Sequence, residues 1–270
     1  MRSTHEAPNW RTYKMSYSDP HKELEPEGDE IAVVDGALVT LRDAGVIDDV
    51  SYDHAKFDAH RAAVRDNFDI PWTAITPRMQ RLLYAINAIH KPEVMIAVGI
   101  FCGNTYISNA GAGVGPGAVY TPRRSVGIEI RTEEADRARR NVASIDPDGV
   151  GEIHGCDGIE WLREFDDSVD LLYIDADGRD GQGKRIYREI AETALPKMPA
   201  GALVIAHNSV NSARDLAEYF ALVRDESEFG ASVNVFIDGE GIEVSRKAPP
   251  SAGGGRKRTA SRRHGDALPP

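Results

Sequence analysis

Val94-Met95-Ile96-Ala97-Val98-Gly99-Ile100-Phe101-Cys102-Gly103-Asn104-Thr105 is a short apolar run, a turn carrying two glycines and the opening of a helix. That order is the first strand, loop and helix of an α/β unit. The chain downstream repeats it. Further strands are expected at 125–130, 151–154, 169–175 and 202–206, with helical segments beginning near Asn104, Thr132, Gly158, Gly183 and Ser212. Parallel strands need crossovers and are buried on both faces, so apolar runs between helices predict a Rossmann-like, doubly wound α/β sheet. At the end, 231–237 and 241–244, separated by Asp238-Gly239-Glu240, read as an antiparallel hairpin on the sheet edge.

Upstream, Met79, Leu82, Leu83, Ile86 and Ile89 mark an amphipathic helix that stops at Lys91-Pro92, after a loop punctuated by Pro71 and Pro77. Ile31, Val34, Leu38 and Leu41 recur at helical spacing before Gly45, and 54–68 repeats the pattern more weakly, giving two accessory helices. The chain therefore divides into a flexible arm (1–30), accessory helices (31–70), a ligand-binding domain (71–247) and a disordered basic tail (248–270). There is no internal repeat.

Composition fits a soluble globular protein: of 270 residues, 41% are hydrophobic and 28% charged, enough for a full core without disulfides. The formal charge of −11 argues against a nucleic-acid or anionic-membrane binder. The tail departs from that balance. Arg256, Lys257, Arg258, Arg262 and Arg263 face only Asp266, a net +4, but without interleaved aromatics, so a nucleic-acid partner is disfavoured. Cys102 and Cys156 fit no metal spacing and read as buried thiols, which points to a reducing, cytoplasmic setting. No apolar run reaches the roughly 20 residues that span a bilayer, so no membrane partner is expected.

The glycine turn lies at the carboxyl edge of the sheet, where a ligand can approach the backbone. Gly99 and Gly103 are four apart, which disfavours the G-x-G-x-x-G of dinucleotide folds. One βα unit later, Gly127-Ile128-Glu129-Ile130 puts a carboxylate at a strand tip, where it can accept both hydroxyls of a ribose while Ile130 lies against a purine. Asp157, ending the third strand, either accepts from an adenine amino group or caps the next helix through Asp157-Gly158-Ile159-Glu160. Its two oxygens allow both.

Together these motifs resemble the class I S-adenosylmethionine-dependent methyltransferases, specifically the cation-dependent O-methyltransferases of the catechol and caffeoyl-coenzyme A type, over residues 72–245. The resemblance extends to Asp170-Leu171-Leu172-Tyr173-Ile174-Asp175-Ala176-Asp177 and Gly201-Ala202-Leu203-Val204-Ile205-Ala206-His207-Asn208. It implies a seven-stranded sheet with a reversed final strand and S-adenosylmethionine as cofactor. Gly99, Phe101, Gly103 and Thr105 would surround the methionine moiety, with Glu129 on the ribose, Ile130 on the adenine and Asp157 at its edge. In the related enzymes a divalent cation sits between the tips of the fourth and fifth strands. Here Asp175, His207 and Asn208 stand at those tips, with Asp177 beside them. They either hold a metal or leave Asp175 to orient the ligand's amino group and His207 to act as a base.

Four departures stand out. Ala97 replaces an acid of the family. His207 replaces an Asp, which turns a magnesium-type oxygen site into a mixed one better suited to manganese, iron or zinc. Gly178 stands where the presumed base, a lysine, is usual, and the loop Gly178-Arg179-Asp180-Gly181-Gln182-Gly183-Lys184 offers Lys184 or Arg179 as compensation, or as anchors for an anionic substrate. The expected reaction is methyl transfer to oxygen of a small, secondary-metabolite acceptor, with Asp175, His207 and Lys184 as the catalytic set. The alternative is displacement within S-adenosylmethionine itself, giving methylthioadenosine. Trp72 and Tyr84 are candidates for the acceptor pocket, and the accessory helices for a homodimer interface.

Overall fold

The computed structural model describes residues 2–249, so the tail expectation for 250–270 lies outside the described residues. In chain order the elements are β1 (Arg2–Glu6), α1 (Glu27–Asp43), α2 (His54–Asn67), α3 (Pro77–His90), β2 (Val94–Val98), α4 (Asn104–Ala110), β3 (Arg124–Glu129), α5 (Thr132–Ile145), β4 (Gly151–Gly155) and α6 (Gly158–Glu164). They continue with β5 (Leu171–Ile174), α7 (Ile186–Ala194), β6 (Leu203–His207), α8 (Ala217–Val223), β7 (Phe229–Phe236) and β8 (Ile242–Lys247).

The strands form one mixed sheet of order β1-β7-β8-β6-β5-β2-β3-β4. From β6 to β4 all neighbours are parallel, as the alternation of strand and helix required. Alternate residues of β2 serve the two faces. Met95 and Ala97 pack with α1, α3, α4 and α5, while Val94, Ile96 and Val98 pack with α6, α7 and α8. No helix among the described residues is long and apolar enough to cross a membrane.

Local signals explain the helix that precedes the glycine turn. The Thr76 hydroxyl caps α3 by accepting from Met79 N, Pro77 occupies its first turn, and Lys91 ends it in a left-handed conformation (φ 50°). α7 and α8 begin later than expected, at Ile186 and Ala217. Ahead of α7, an antiparallel bridge between Gly178 and Gly183 folds the charged loop back on itself.

Two expectations about the sheet are corrected. The C-terminal hairpin is present, with β8 between β6 and β7 and antiparallel to both, but it does not form the edge, because β1 pairs on the outer side of β7. The arm is not loose. Its residues 2–6 add an eighth strand, parallel to β7, and Arg78 of α3 anchors the stretch from residue 8 to residue 25. That guanidinium donates to both Glu25 carboxylate oxygens, at 2.6 and 2.5 Å, and to the carbonyls of Pro8 and Ile237, and it lies over the Tyr13 ring. A buried cation needs such acceptors, and the arm supplies most of them.

Candidate active site

At the carboxyl ends of β2, β3, β5 and β6 lies a cavity of about 540 Å³. Gly99, Phe101, Thr105, Glu129, Ile130, Asp157, Asp175, Lys184, His207 and Asn208 all line it. Gly103 does not. It caps α4 with φ 92° and packs against Ala138, where an added Cβ would sit 3.1 Å from that residue's own Cβ. Tyr84 is also elsewhere, fully buried and donating to the Gly117 carbonyl at 2.6 Å.

Gly99 makes the close approach between strand tips. At φ 83°, a Cβ there would stand 2.5 Å from the backbone of Ala176. The chain then turns at Phe101 (φ 49°), whose N–H donates to Glu129 Oε2 at 2.8 Å. Glu129 Oε1 accepts from Arg131 N and Nε at 3.1 and 3.2 Å. A carboxylate has about four lone-pair sites, so this 5%-exposed side chain keeps acceptor capacity toward the cavity. Ile130 beside it is 39% exposed, an apolar surface uncovered inside a ligand-sized space. Asp157 caps α6 through Oδ1, which accepts from Ile159 N and Glu160 N, leaving Oδ2 without a bond among the described residues.

The mouth is aromatic. Trp72 stacks at a tilt on Phe101 with 4.7 Å between centroids, and the Arg131 guanidinium lies 5.1 Å from the same ring. Thr73 is fixed by Asn104 Nδ2 at 2.9 Å. Arg131, Thr73, Asn104, Asn211 and Ser212 line the cavity and were not singled out from the sequence, because nothing in their local spacing distinguishes them from surface or helix-start residues.

At the tips of β5 and β6, Asp175 has both oxygens engaged. Oδ1 accepts from Lys184 Nζ at 3.0 Å and from the Tyr187 hydroxyl at 3.3 Å, and Oδ2 lies 3.1 Å from His207 Nδ1. Burial would raise the pKa of this carboxyl, but the charge of Lys184 and then that of His207 outweigh it and hold it at about 2. Burial depresses His207, and Asp175 more than reverses this, so the imidazole is raised above its ordinary value. His207 Nε2 is buried without a partner, as is Asn208 Oδ1. Asn208 Nδ2 is turned to Glu240 Oε2 at 2.9 Å, an acceptor it shares with Asn211. Cys102 is buried and its thiol pushed up to about 11, chiefly by burial, in keeping with an inert role.

Of the metal set expected from Asp175, His207 and Asn208, only Asp175 has its donor oxygens engaged, while His207 Nε2 and Asn208 Oδ1 have no partner. The carboxylate is spent on an ammonium, a phenol and an imidazole, and the amide is oriented by Glu240. Among the described residues, no group of three or more His, Cys, Asp or Glu is placed to hold a metal ion.

Neither a protein-family profile nor a curated protein matches the sequence. Solved structures do match. An O-methyltransferase from Bacillus cereus, in complex with S-adenosylhomocysteine, aligns at 17% identity and TM-score 0.54 over 78% of this chain and 97% of its own. The O-methyltransferase TomG from Streptomyces achromogenes, in complex with S-adenosylmethionine, aligns at 20% identity and TM-score 0.54 over 73% and 91%. The Podospora anserina methyltransferase PaMTH1, bound to S-adenosylhomocysteine, aligns at 12% identity and TM-score 0.56 over 84% and 99%. The fold is that of the class I methyltransferases. Within this methyltransferase fold the cavity occupies the crevice beyond the parallel strand ends, and the arm strand β1 extends the sheet to eight strands.

Proposed function

We propose that this chain is an S-adenosylmethionine-dependent methyltransferase acting on a hydroxyl of a small acceptor. The observation that carries the reading is that one cavity is lined both by a strand-tip carboxylate with one lone-pair site unspent, Glu129, and by His207, whose buried Nε2 has no partner. Glu129 takes a ribose hydroxyl, Ile130 covers the adenine and Asp157 Oδ2 accepts from its amino group. The turn from Gly99 to Phe101, with Thr105, borders the methionine end. S-adenosylmethionine supplies an electron-poor methyl group and is left as S-adenosylhomocysteine.

The chain's own part in the chemistry is positional and acid–base. Asp175 accepts from His207 Nδ1–H, which fixes the tautomer and leaves the Nε2 lone pair to take the acceptor's hydroxyl proton as the oxygen receives the methyl. The Trp72–Phe101 stack shields the approach from water, and the cavity walls hold the two reactants in register. The secondary-metabolite character of the acceptor is supported by TomG, which takes part in tomaymycin synthesis. No observation in the cavity favours self-consumption of S-adenosylmethionine.

The test is mass spectrometry of the purified chain incubated with S-adenosylmethionine and a panel of hydroxylated acceptors or cell extract. S-adenosylhomocysteine together with an acceptor heavier by one methylene is the expected outcome. Methylthioadenosine above the spontaneous background, or failure to bind S-adenosylhomocysteine in calorimetry, overturns the proposal.

A further inference from the structure

This inference rests on the methyltransferase reading and concerns Lys184. The Gly178–Gly183 bridge brings Lys184 back over the tip of β5, where its Nζ lies 3.0 Å from Asp175 Oδ1, 3.3 Å from the Asp175 carbonyl and 3.3 Å from Asp177 Oδ2. The Tyr187 ring is 5.5 Å away, and the side chain is 14% exposed. An ammonium has three N–H donors, and three oxygens meet them. Two carboxylates and a carbonyl are also the hard oxygen donors that hold magnesium, calcium or manganese. We propose that the Lys184 ammonium is a built-in cation that fills this oxygen cage and keeps divalent metals out, so that the site works without metal and in the presence of chelators.

The geometry has two consequences. With all three donors engaged, Lys184 is a positioning residue, and the proton of the acceptor goes to His207 Nε2 rather than to the lysine. A dication at the same oxygens meets a like charge in contact, which disfavours its entry as long as the side chain is present. Removing that charge leaves two carboxylates and a carbonyl at one point, open to a metal.

Manganese uptake by the full chain, monitored as the loss of the free-ion electron paramagnetic resonance signal, tests this without reference to turnover. The wild-type chain is expected to leave the Mn²⁺ signal undiminished, whereas Lys184→Met takes up one equivalent and binds at least about tenfold more tightly than wild type. Lys184→Gln serves as the second neutral variant, and Lys184→Arg, which keeps the charge, should behave as wild type. Stoichiometric Mn²⁺ uptake by the wild-type chain, or no gain in a folded neutral variant, overturns the proposal. S-adenosylhomocysteine binding is measured on the same preparations: its absence from the wild type refutes the methyltransferase reading, while the manganese result is read separately.

Discussion

Replacing Gly99 by alanine should separate the two strand tips on which the site is built. The new Cβ would stand 2.5 Å from Ala176 Cα and N and 2.6 Å from the Asp175 carbonyl carbon, all backbone atoms of the chain leaving β5. No side chain can rotate to relieve the contact, so β2 and β5 must part by about 1 Å to reach ordinary van der Waals separation. The backbone at φ 83° adds about 1–2 kcal/mol for a residue with a Cβ, and displacing packed backbone costs about 1–3 kcal/mol more. For a domain of this size a loss of about 2–5 kcal/mol lowers the melting temperature by about 5–15 °C. Because Asp175 moves with Ala176, the Asp175–His207 distance of 3.1 Å and the Lys184 contacts are disturbed as well. Scanning fluorimetry with and without S-adenosylhomocysteine should therefore show both a lower melting point and a smaller ligand-induced rise. A variant that melts within about 2 °C of wild type and binds the ligand equally well would refute the packing argument.

His207→Asn should lower turnover by about 10²–10⁴-fold with S-adenosylhomocysteine affinity unchanged. Since Asp175 raises the imidazole and the neutral form is the base, wild-type kcat should fall as the pH drops through a limb above the ordinary value of 6.5, and the variant should lack that limb. Asp175, held at about 2 against 3.8 in the unfolded chain, contributes about 2 kcal/mol that is present above pH 4 and lost as the pH falls toward 2. Acid unfolding monitored by circular dichroism should show that loss in wild type and not in Asp175→Asn. Arg78→Ala removes the buried cation that Glu25 and two carbonyls share, and should cost about 3–5 kcal/mol. Limited proteolysis should then cut within residues 8–25 well before the rest of the chain.

The parallel core was legible because strands buried on both faces must be apolar throughout, and the chain from Val94 to Val98 is. Glu129 was legible for a related reason: a strand-tip carboxylate one βα unit beyond a glycine turn has few places to be. Asp157 declared its capping role through the Asp157-Gly158-Ile159-Glu160 pattern, and the structure bears that role out through Oδ1. The arm strand was not legible. Arg2-Ser3-Thr4-His5-Glu6 has one strand neighbour and no apolar alternation, so its pairing depends on β7 rather than on its own pattern. Lys184 was visible as a substitute for the residue missing at Gly178, but its partners were not. They depend on a loop closed by a bridge between two glycines, which spacing does not encode. The hairpin was recognised from its turn while its place in the sheet was not, since local sequence sets the turn and long-range pairing sets the neighbour.

The parallel pairing of β1 with β7 has a consequence for biosynthesis. Arg2 lies opposite Ser232, about 230 positions later in the chain, so on the ribosome β1 is made long before the strand it pairs with. It stays unpaired while the α/β units form behind it, and joins the sheet only after β7 and β8 have emerged, a late and entropically slow closure. A polar, charged segment suits that interval, because an exposed apolar strand waiting as long would be open to pairing with other chains.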